Sequence, residues 1–272
     1  MLELEHRFRV VDVHARLSSD EKSVTTRGRA IGPEKLEREM HQAGVVRSVV
    51  FPPTLPGEEG YLRTNNAVAR LSVDRPFVAF ARVQGAHQFG NDPTSRLRNA
   101  VTRRAEHHTS PGDIEQYAYD ERFYGFKLDP GRDGLPDGEV LDRLDDVRLP
   151  VLVHGGERFP PEALARTLLE RSFPVIVAHF GGYPLRRELM ERTIDLLDEY
   201  DNCYVDTSYV RYRTQLERAL LEHPDRVLFG SGAPAVHPNV AIMEILTLDV
   251  SEDAMRKVFT KNPERVIGPF SE

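Results

Sequence analysis

Residues 150–154, Pro150-Val151-Leu152-Val153-His154, and residues 174–179, Pro174-Val175-Ile176-Val177-Ala178-His179, set out the fold twice over. Each opens on a proline, runs through unbroken apolar positions and ends on a histidine. An unbroken apolar run suits a parallel strand buried on both faces; a half-exposed strand would alternate. A proline just ahead of a strand sits where its missing N–H does least harm. Between the two runs, Glu162–Glu170 carries a helical pattern. The segment therefore reads as strand, helix, strand, with the right-handed crossover that parallel neighbours need.

The same unit recurs along the chain. Further apolar runs stand at Phe8–Val13, Val45–Phe51, Phe77–Val83, Tyr124–Leu128, Cys203–Asp206 and Val227–Ser231. Helical patterns fill the intervals. Pro33 opens Glu34–Ala43 and Gly44 closes it. Arg186–Tyr200 sets Leu189, Thr193, Leu196 and Leu197 on one face, and Gln215–Glu222 reads the same way. Eight such units predict an α/β fold, a closed (β/α)8 TIM barrel, as a single domain over residues 1–272. No Gly-x-Gly-x-x-Gly follows a strand, so an open dinucleotide-binding sheet has little support. The connection from Gln84 to Arg122 exceeds an ordinary link. It reads as a surface excursion or a lid, with a helix near Thr94–Glu106 followed by the polar stretch His107–Gly112, whose two histidines are expected to be solvated.

Composition narrows the function. Hydrophobic residues make up 40% of the 272, enough for a large core, and the formal net charge of -7 is spread rather than blocked. That argues against nucleic acid or an anionic membrane as the main partner. No run approaches the roughly 18 apolar residues of a membrane span. Met1–Arg7 is acidic where a secretory leader would be basic, so a cytoplasmic protein is expected. The lone Cys203 excludes an internal disulfide framework and a cysteine-rich zinc site. Only five of the 36 basic residues are lysine.

In barrels of this kind the reacting groups stand at the C-terminal ends of the strands. Here the polar residues ending apolar runs are His14, Arg82, Lys127, His154, His179, Asp206 and Ser231. One such histidine is ordinarily a hydrogen-bonded barrel residue. Three converging on one rim indicate a site.

The strand-end motifs, in this order, resemble the amidohydrolase-2 branch of the amidohydrolase superfamily, and the likeness spans nearly the whole chain. Val11-Asp12-Val13-His14-Ala15-Arg16 is similar to the Asp-x-His-x-His of the first strand, with Arg16 in place of the second histidine. Gly125-Phe126-Lys127-Leu128, the fifth strand ending in His154, Ala178-His179-Phe180-Gly181-Gly182 and Val205-Asp206-Thr207-Ser208 follow the family's strands four to seven. Phe229-Gly230-Ser231-Gly232-Ala233-Pro234 resembles Phe-Gly-Ser-Asp-x-Pro, with Gly232 in place of the aspartate, and Lys261–Gly268 resembles the closing helix. The resemblance implies metal-dependent hydrolysis or decarboxylation of a small carboxylate. In that family the two strand-one histidines, the strand-five histidine and the strand-eight aspartate hold one divalent ion. Carried over, His14 and His154 match, whereas Arg16 and Gly232 cannot be ligands. A catalytic zinc needs about three protein ligands, so two fall short unless His179 or Asp206 joins them.

The expectation is thus a barrel that binds a small anionic molecule and hydrolyses or decarboxylates it without a metal or other cofactor. His179, His154 and Lys127 are the candidate catalytic groups, and His14, Arg16, Arg82, Ser231 and His237 the candidate substrate contacts. Arg16 would fill the volume vacated at Gly232, or else turn out to solvent. Lys127 would face the anion, or pair with Asp129 or Asp206. Ser231 reads as a strand-end hydroxyl, since no Gly-x-Ser-x-Gly elbow surrounds it. A hydrolase with a rearranged zinc or manganese site and a non-catalytic sensor or assembly partner are the alternatives. A homo-oligomer is left open.

Overall fold

Each apolar run pairs with the next one along the chain. The computed structural model describes residues 6–18, 25–26, 29–30, 32–55, 59–87 and 104–268. Its barrel strands are β1 Val10–Arg16, β2 Val45–Phe51, β3 Phe77–Val83, β4 Phe123–Leu128, β5 Val151–Gly156, β6 Val175–Tyr183, β7 Cys203–Asp206 and β8 Val227–Leu228. They make one eight-stranded parallel sheet in sequence order. Hydrogen bonds across the last seam close it. The Val13 N–H donates to the Phe229 carbonyl at 2.8 Å, Arg16 N–H to Ala233 at 2.9 Å and Gly232 N–H to His14 at 3.0 Å.

The connecting helices are α1 Pro33–Gln42, α2 Leu62–Leu71, α3 Pro111–Tyr119, α4 Pro130–Asp133, α5 Gly138–Val147, α6 Pro161–Leu164, α7 Arg187–Glu199, α8 Arg213–Glu222, α9 Pro238–Leu246, α10 Glu252–Arg256 and α11 Asn262–Ile267. Wider π turns extend α6 over Ala165–Leu169 and α10 over Lys257–Lys261. Thr25–Thr26 and Arg29–Ala30 form a separate antiparallel ribbon. In the Gln84–Arg122 excursion, the helix expected near Thr94–Glu106 falls almost wholly outside the described residues. Its polar tail ends in a capping box, Ser110 with Asp113, that starts α3.

Four strand ends differ from the sequence pattern: β5 runs past His154 to Gly156 and β6 past His179 to Tyr183, and the other two bear on the site. β1 runs on to Arg16 instead of stopping at Val13, which carries His14 and Arg16 into the sheet. β8 stops at Leu228 instead of Ser231. Beyond it the chain turns across to β1, and Gly232 takes a φ of 74° that side chains disfavour.

The core has two layers because successive strand residues point to opposite faces. Inside the barrel, Val11, Val13, Phe51, Phe80, Leu152 and Ile176 pack together. Outside it, Val151, Val153, Val175 and Val177 meet helix residues such as Leu164, Leu168, Met190 and Ile194. The prolines fit as anticipated. Pro150 and Pro174 have no N–H to pair, but their carbonyls accept from Phe126 at 2.9 Å and Val151 at 2.8 Å.

Gly125 is the tightest joint near the site. A Cβ there would stand 2.5 Å from the Pro150 carbonyl and 2.6 Å from the Phe80 ring. The bare backbone lets β4 approach β5 and sets the height of Lys127 two residues on. Gly125→Ala should therefore lose about 3 kcal/mol of stability, the upper range for overpacking. Urea unfolding measures this, and a loss within about 0.5 kcal/mol would mean the strands are not held so closely.

Candidate functional site

A fully buried carboxylate organises the strand ends. Asp206, the last residue of β7, accepts from His14 Nδ1 at 2.8 Å, from the His179 N–H at 3.1 Å, from the Ser208 N–H at 2.9 Å and from the Ser208 hydroxyl. Burial alone would raise its pKa, but His14 and these hydrogen bonds hold it well below the usual carboxylate range. His14 responds in the opposite sense. Its burial, only partly offset by Asp206 and reinforced by Lys127 and Arg16, lowers its pKa to about 4, so it is neutral near pH 7.

The backbone fixes the direction of the protons. Ser208 O lies 3.0 Å from His179 Nδ1, and a carbonyl can only accept. His179 Nδ1 therefore carries the hydrogen, and also meets the Ser208 hydroxyl oxygen at 2.7 Å. His179 Nε2 is then an acceptor and receives the hydrogen of His154 Nδ1 at 3.2 Å. That leaves a lone pair on His154 Nε2. His154 stands beside a cavity of about 220 Å3 whose wall also includes Asp129, Arg132, Arg158, Phe159 and Tyr183. The result is a relay from the cavity inward: His154, His179, Ser208, Asp206, with His14 on the far side. Burial and the neighbouring positive groups hold both His154 and His179 well below the ordinary histidine pKa.

Two basic side chains stand over this relay. Lys127 is buried, gives one long hydrogen bond of 3.4 Å to the Leu152 carbonyl and lies 5.3 Å above the Phe51 ring. Among the described residues it has no ion pair within 4.0 Å, and burial lowers its pKa to about 7, opposed by the charge of Asp129. Arg16 turns inward and is half-buried. It donates to the Tyr209 hydroxyl at 3.2 Å, and its charge depresses the pKa values of His14, Lys127 and His154.

The volume beside Gly232 is not filled by Arg16. The Tyr209 ring fills it, 2.8 Å from where a Cβ would be, and the Tyr209 hydroxyl donates to the Gly232 carbonyl at 2.9 Å. Arg16 lies against that tyrosine, its guanidinium 6.0 Å from the ring centre. Left-handed backbone gathers here too: His179 at φ 61°, Phe180 at 49° and Tyr209 at 59°. Such conformations each cost about 1–3 kcal/mol and persist where surrounding contacts enforce them.

Three expected contacts sit elsewhere. Arg82 is buried with its donors engaged by Asp133 at 2.7 Å, the Pro52 carbonyl at 3.0 Å and Thr54 at 2.7 Å, with Asp129 3.6 Å away. It ties the loops after β2 and β4 together. Ser231 binds both oxygens of the buried Asp12 carboxylate, through its N–H at 2.8 Å and its hydroxyl at 2.5 Å. Burial, against those hydrogen bonds, raises Asp12 to about 6. His237 caps α9, its Nδ1 accepting from Asn239 N–H at 3.2 Å. Sequence reasoning missed Ser208 and Tyr209 as site members and Asp12 as a structural one. Ser208 and Tyr209 follow Asp206 directly, and that proximity was the available signal.

The donor set can be tested against a divalent ion. His14, His179 and Asp206 offer ligand atoms within 4.8 Å of one another, and the buried Nε2 of His14 has no hydrogen-bond partner. Yet Asp206 already receives four hydrogen bonds, and both His179 nitrogens are engaged. The two free imidazole nitrogens, Nε2 of His14 and Nε2 of His154, beside Lys127 and Arg16 fall short of the three ligands that a catalytic ion takes.

The chain was then compared with known proteins. The model of a family described as Amidohydrolase matches residues 11–268. No curated protein sequence matches. Among solved structures, an uncharacterised TIM-barrel protein of Bordetella bronchiseptica is similar at a TM-score of 0.65 and 17% identity, over 95% of this chain and 98% of that one. A probable 2-pyrone-4,6-dicarboxylic acid hydrolase of Acinetobacter baumannii, with citric acid bound, gives 0.62 and 15% over 96% and 99%. A 2,6-dihydroxybenzoate decarboxylase from Rhizobium gives 0.62 and 15% over 96% and 99%. At these identities the likeness shows the fold.

The site generates two expected outcomes. Between pH 7 and the unfolded lysine value near 10.5, the unfolded chain holds a proton on Lys127 that the folded chain refuses. Folding stability from this group therefore rises with pH across that window, and below it the group is a net cost. Lys127→Met should raise stability at pH 7 by on the order of 4 kcal/mol, with the gain shrinking toward pH 10; a gain independent of pH would show the amine to be unperturbed. The second outcome concerns Gly232. Arg16→His with Gly232→Asp should bind zinc no better than wild type while Tyr209 remains, because the new Cβ meets its ring. Adding Tyr209→Ala should allow affinity to rise, as read by equilibrium dialysis.

Proposed function

This chain belongs to the amidohydrolase family, and we propose that it binds a small carboxylate-bearing molecule at the strand-end cavity and hydrolyses or decarboxylates it by acid–base chemistry of its own side chains. The observation that carries this reading is the relay whose outermost atom, the bare Nε2 of His154, stands beside the cavity. The carboxylates named with two similar structures, citric acid and 2,6-dihydroxybenzoate, agree with an anion as ligand.

Each group has a task set by its surroundings. His154 Nε2 takes a proton from water attacking a carbonyl, or returns one to carbon after loss of CO2. The positive charge then on His154 is shared inward, since its Nδ1–H already points at His179 and the chain ends on the ionised Asp206. Lys127 and Arg16 stabilise the negative charge of the bound carboxylate or the developing oxyanion. An anion beside Lys127 would replace the missing partner and restore its proton. A buried neutral imidazole is a weak base, so bound negative charge also raises His154 toward a useful range.

A second reading, a hydrolase with a rearranged metal site, is favoured by the partnerless Nε2 of His14 beside His179 and Asp206. It requires Asp206 and His179 to give up bonds they make here.

Titration calorimetry with mono- and dicarboxylates tests the first reading. Wild type should bind them in preference to neutral analogues, and Arg16→Ala or Lys127→Ala should each weaken binding about ten-fold, the worth of one charge-assisted hydrogen bond. Binding equal in all three proteins would defeat it. Stoichiometric zinc or manganese that survives dialysis would put the second reading first.

A further inference from the structure

Lys127 is an amine in a position that an ammonium ion would avoid. It is fully enclosed, has no carboxylate within 4.0 Å among the described residues, and its one hydrogen bond, to the Leu152 carbonyl, is long at 3.4 Å. An isolated buried charge costs several kcal/mol, so enclosure without a partner favours the neutral amine and its lone pair. The other four lysines do not share this setting as far as the structure describes them. Lys257 and Lys261 are paired at the surface with Asp225 at 3.1 Å and Asp253 at 3.0 Å. The chain uses arginine for most of its 36 basic residues, yet at this strand end it has the one basic side chain that can lose its proton and act as a nucleophile.

The surroundings suit carbonyl chemistry. Lys127 pairs in register with Leu152 on β5, so His154 stands two residues further toward the mouth on the adjoining strand. Asp129, two residues on and just past the end of β4, lines the same cavity as His154. The amine thus lies one layer beneath the cavity, with a base above it and the carboxylates of Asp129 and Asp206 acting on it electrostatically. An iminium ion formed there would feel the charges of Asp129 and Asp206, opposed by those of Arg82 and Arg16.

We infer that Lys127 is a catalytic nucleophile that forms an imine with the ketone of a 3-oxo carboxylic acid, and that this chain decarboxylates such acids through the resulting enamine. The inference rests on the carboxylate-pocket reading above. The Lys127 nitrogen bonds the carbonyl carbon and gives up one proton to His154 Nε2. The carbonyl oxygen takes that proton and one from solvent, and leaves as water. The bond to the carboxylate carbon then breaks, its electron pair moves into the iminium to make an enamine, and CO2 departs. His154, neutral again after the water has left, takes up a proton from solvent and gives it to the enamine carbon. Water then adds to the iminium, releasing the ketone and the free amine.

Trapping tests this directly. Wild-type protein is incubated with acetoacetate, and separately with acetonedicarboxylate, with and without sodium borohydride, followed by intact and peptide mass spectrometry. Succinate binding is measured by calorimetry on the same preparation. The expected result is a borohydride-dependent adduct on Lys127, an isopropyl group for acetoacetate because CO2 has already left. CO2 release should be faster than in buffer and should fall to the buffer rate in Lys127→Met, which keeps the length of the side chain and cannot form the imine. If succinate binds and neither oxo acid leaves an adduct on Lys127, the imine is wrong and the pocket reading stands. If succinate also fails to bind, both fall. Adducts spread evenly over the other lysines would equally overturn the inference.

Discussion

The ionised carboxylate of Asp206, enclosed on every side, is the constraint on which the strand-end architecture depends. An unpaired charge at that depth would cost several kcal/mol, so the protein surrounds it with donors from β1, β6 and the segment after β7. Those donors include a histidine ring and the backbone of another histidine. Satisfying one charge thereby orients His14 and sets the height of His179, and the Ser208 carbonyl then decides which nitrogen of His179 keeps its hydrogen. The proton relay follows from electrostatic necessity in the core.

A second carboxylate does a different job by the same rule. Asp12 lies two residues before His14 on β1, and Ser231 binds both of its oxygens. This joins β1 to the segment after β8 at the seam where the barrel closes, next to the backbone bonds of Val13, Arg16 and Gly232. Arg82 makes a third such joint, between the loops after β2 and β4. Residues that look like ligand-binding groups in one dimension are therefore divided by the fold. Arg82 and Ser231 spend their hydrogen bonds on holding loops, whereas among the described residues His154 Nε2 accepts none and Lys127 gives a single long one.

Charge balance around the relay also bears on what the site can accept. Burial lowers the imidazole pKa values here, and the charge of Arg16 on His14 and His154, with that of Lys127 when protonated, lowers them further. Such a site is under-neutralised without a guest. An incoming carboxylate would give Lys127 a partner and raise the basicity of His154, so binding and activation are coupled through the same field. A divalent cation would meet that field with the opposite sign.

By itself the sequence determined the barrel, because unbroken apolar runs alternating with amphipathic stretches have few other ways to bury both faces of a strand. It also showed which polar residues close the apolar runs, so that His14, Lys127, His154 and His179 stood out in advance, although β1, β5 and β6 continue past them. Only the tertiary structure decided what each of them does there. Arg82 and Ser231 read as site residues until their partners, Asp133 and Asp12, distant in sequence, were seen to occupy them. The vacancy left by Gly232 was legible, but its occupant, Tyr209, was not, because nothing local says which strand-end loop will lean across a seam. The direction of the relay depends on one backbone carbonyl, that of Ser208, and carbonyl orientation is set by the assembled fold.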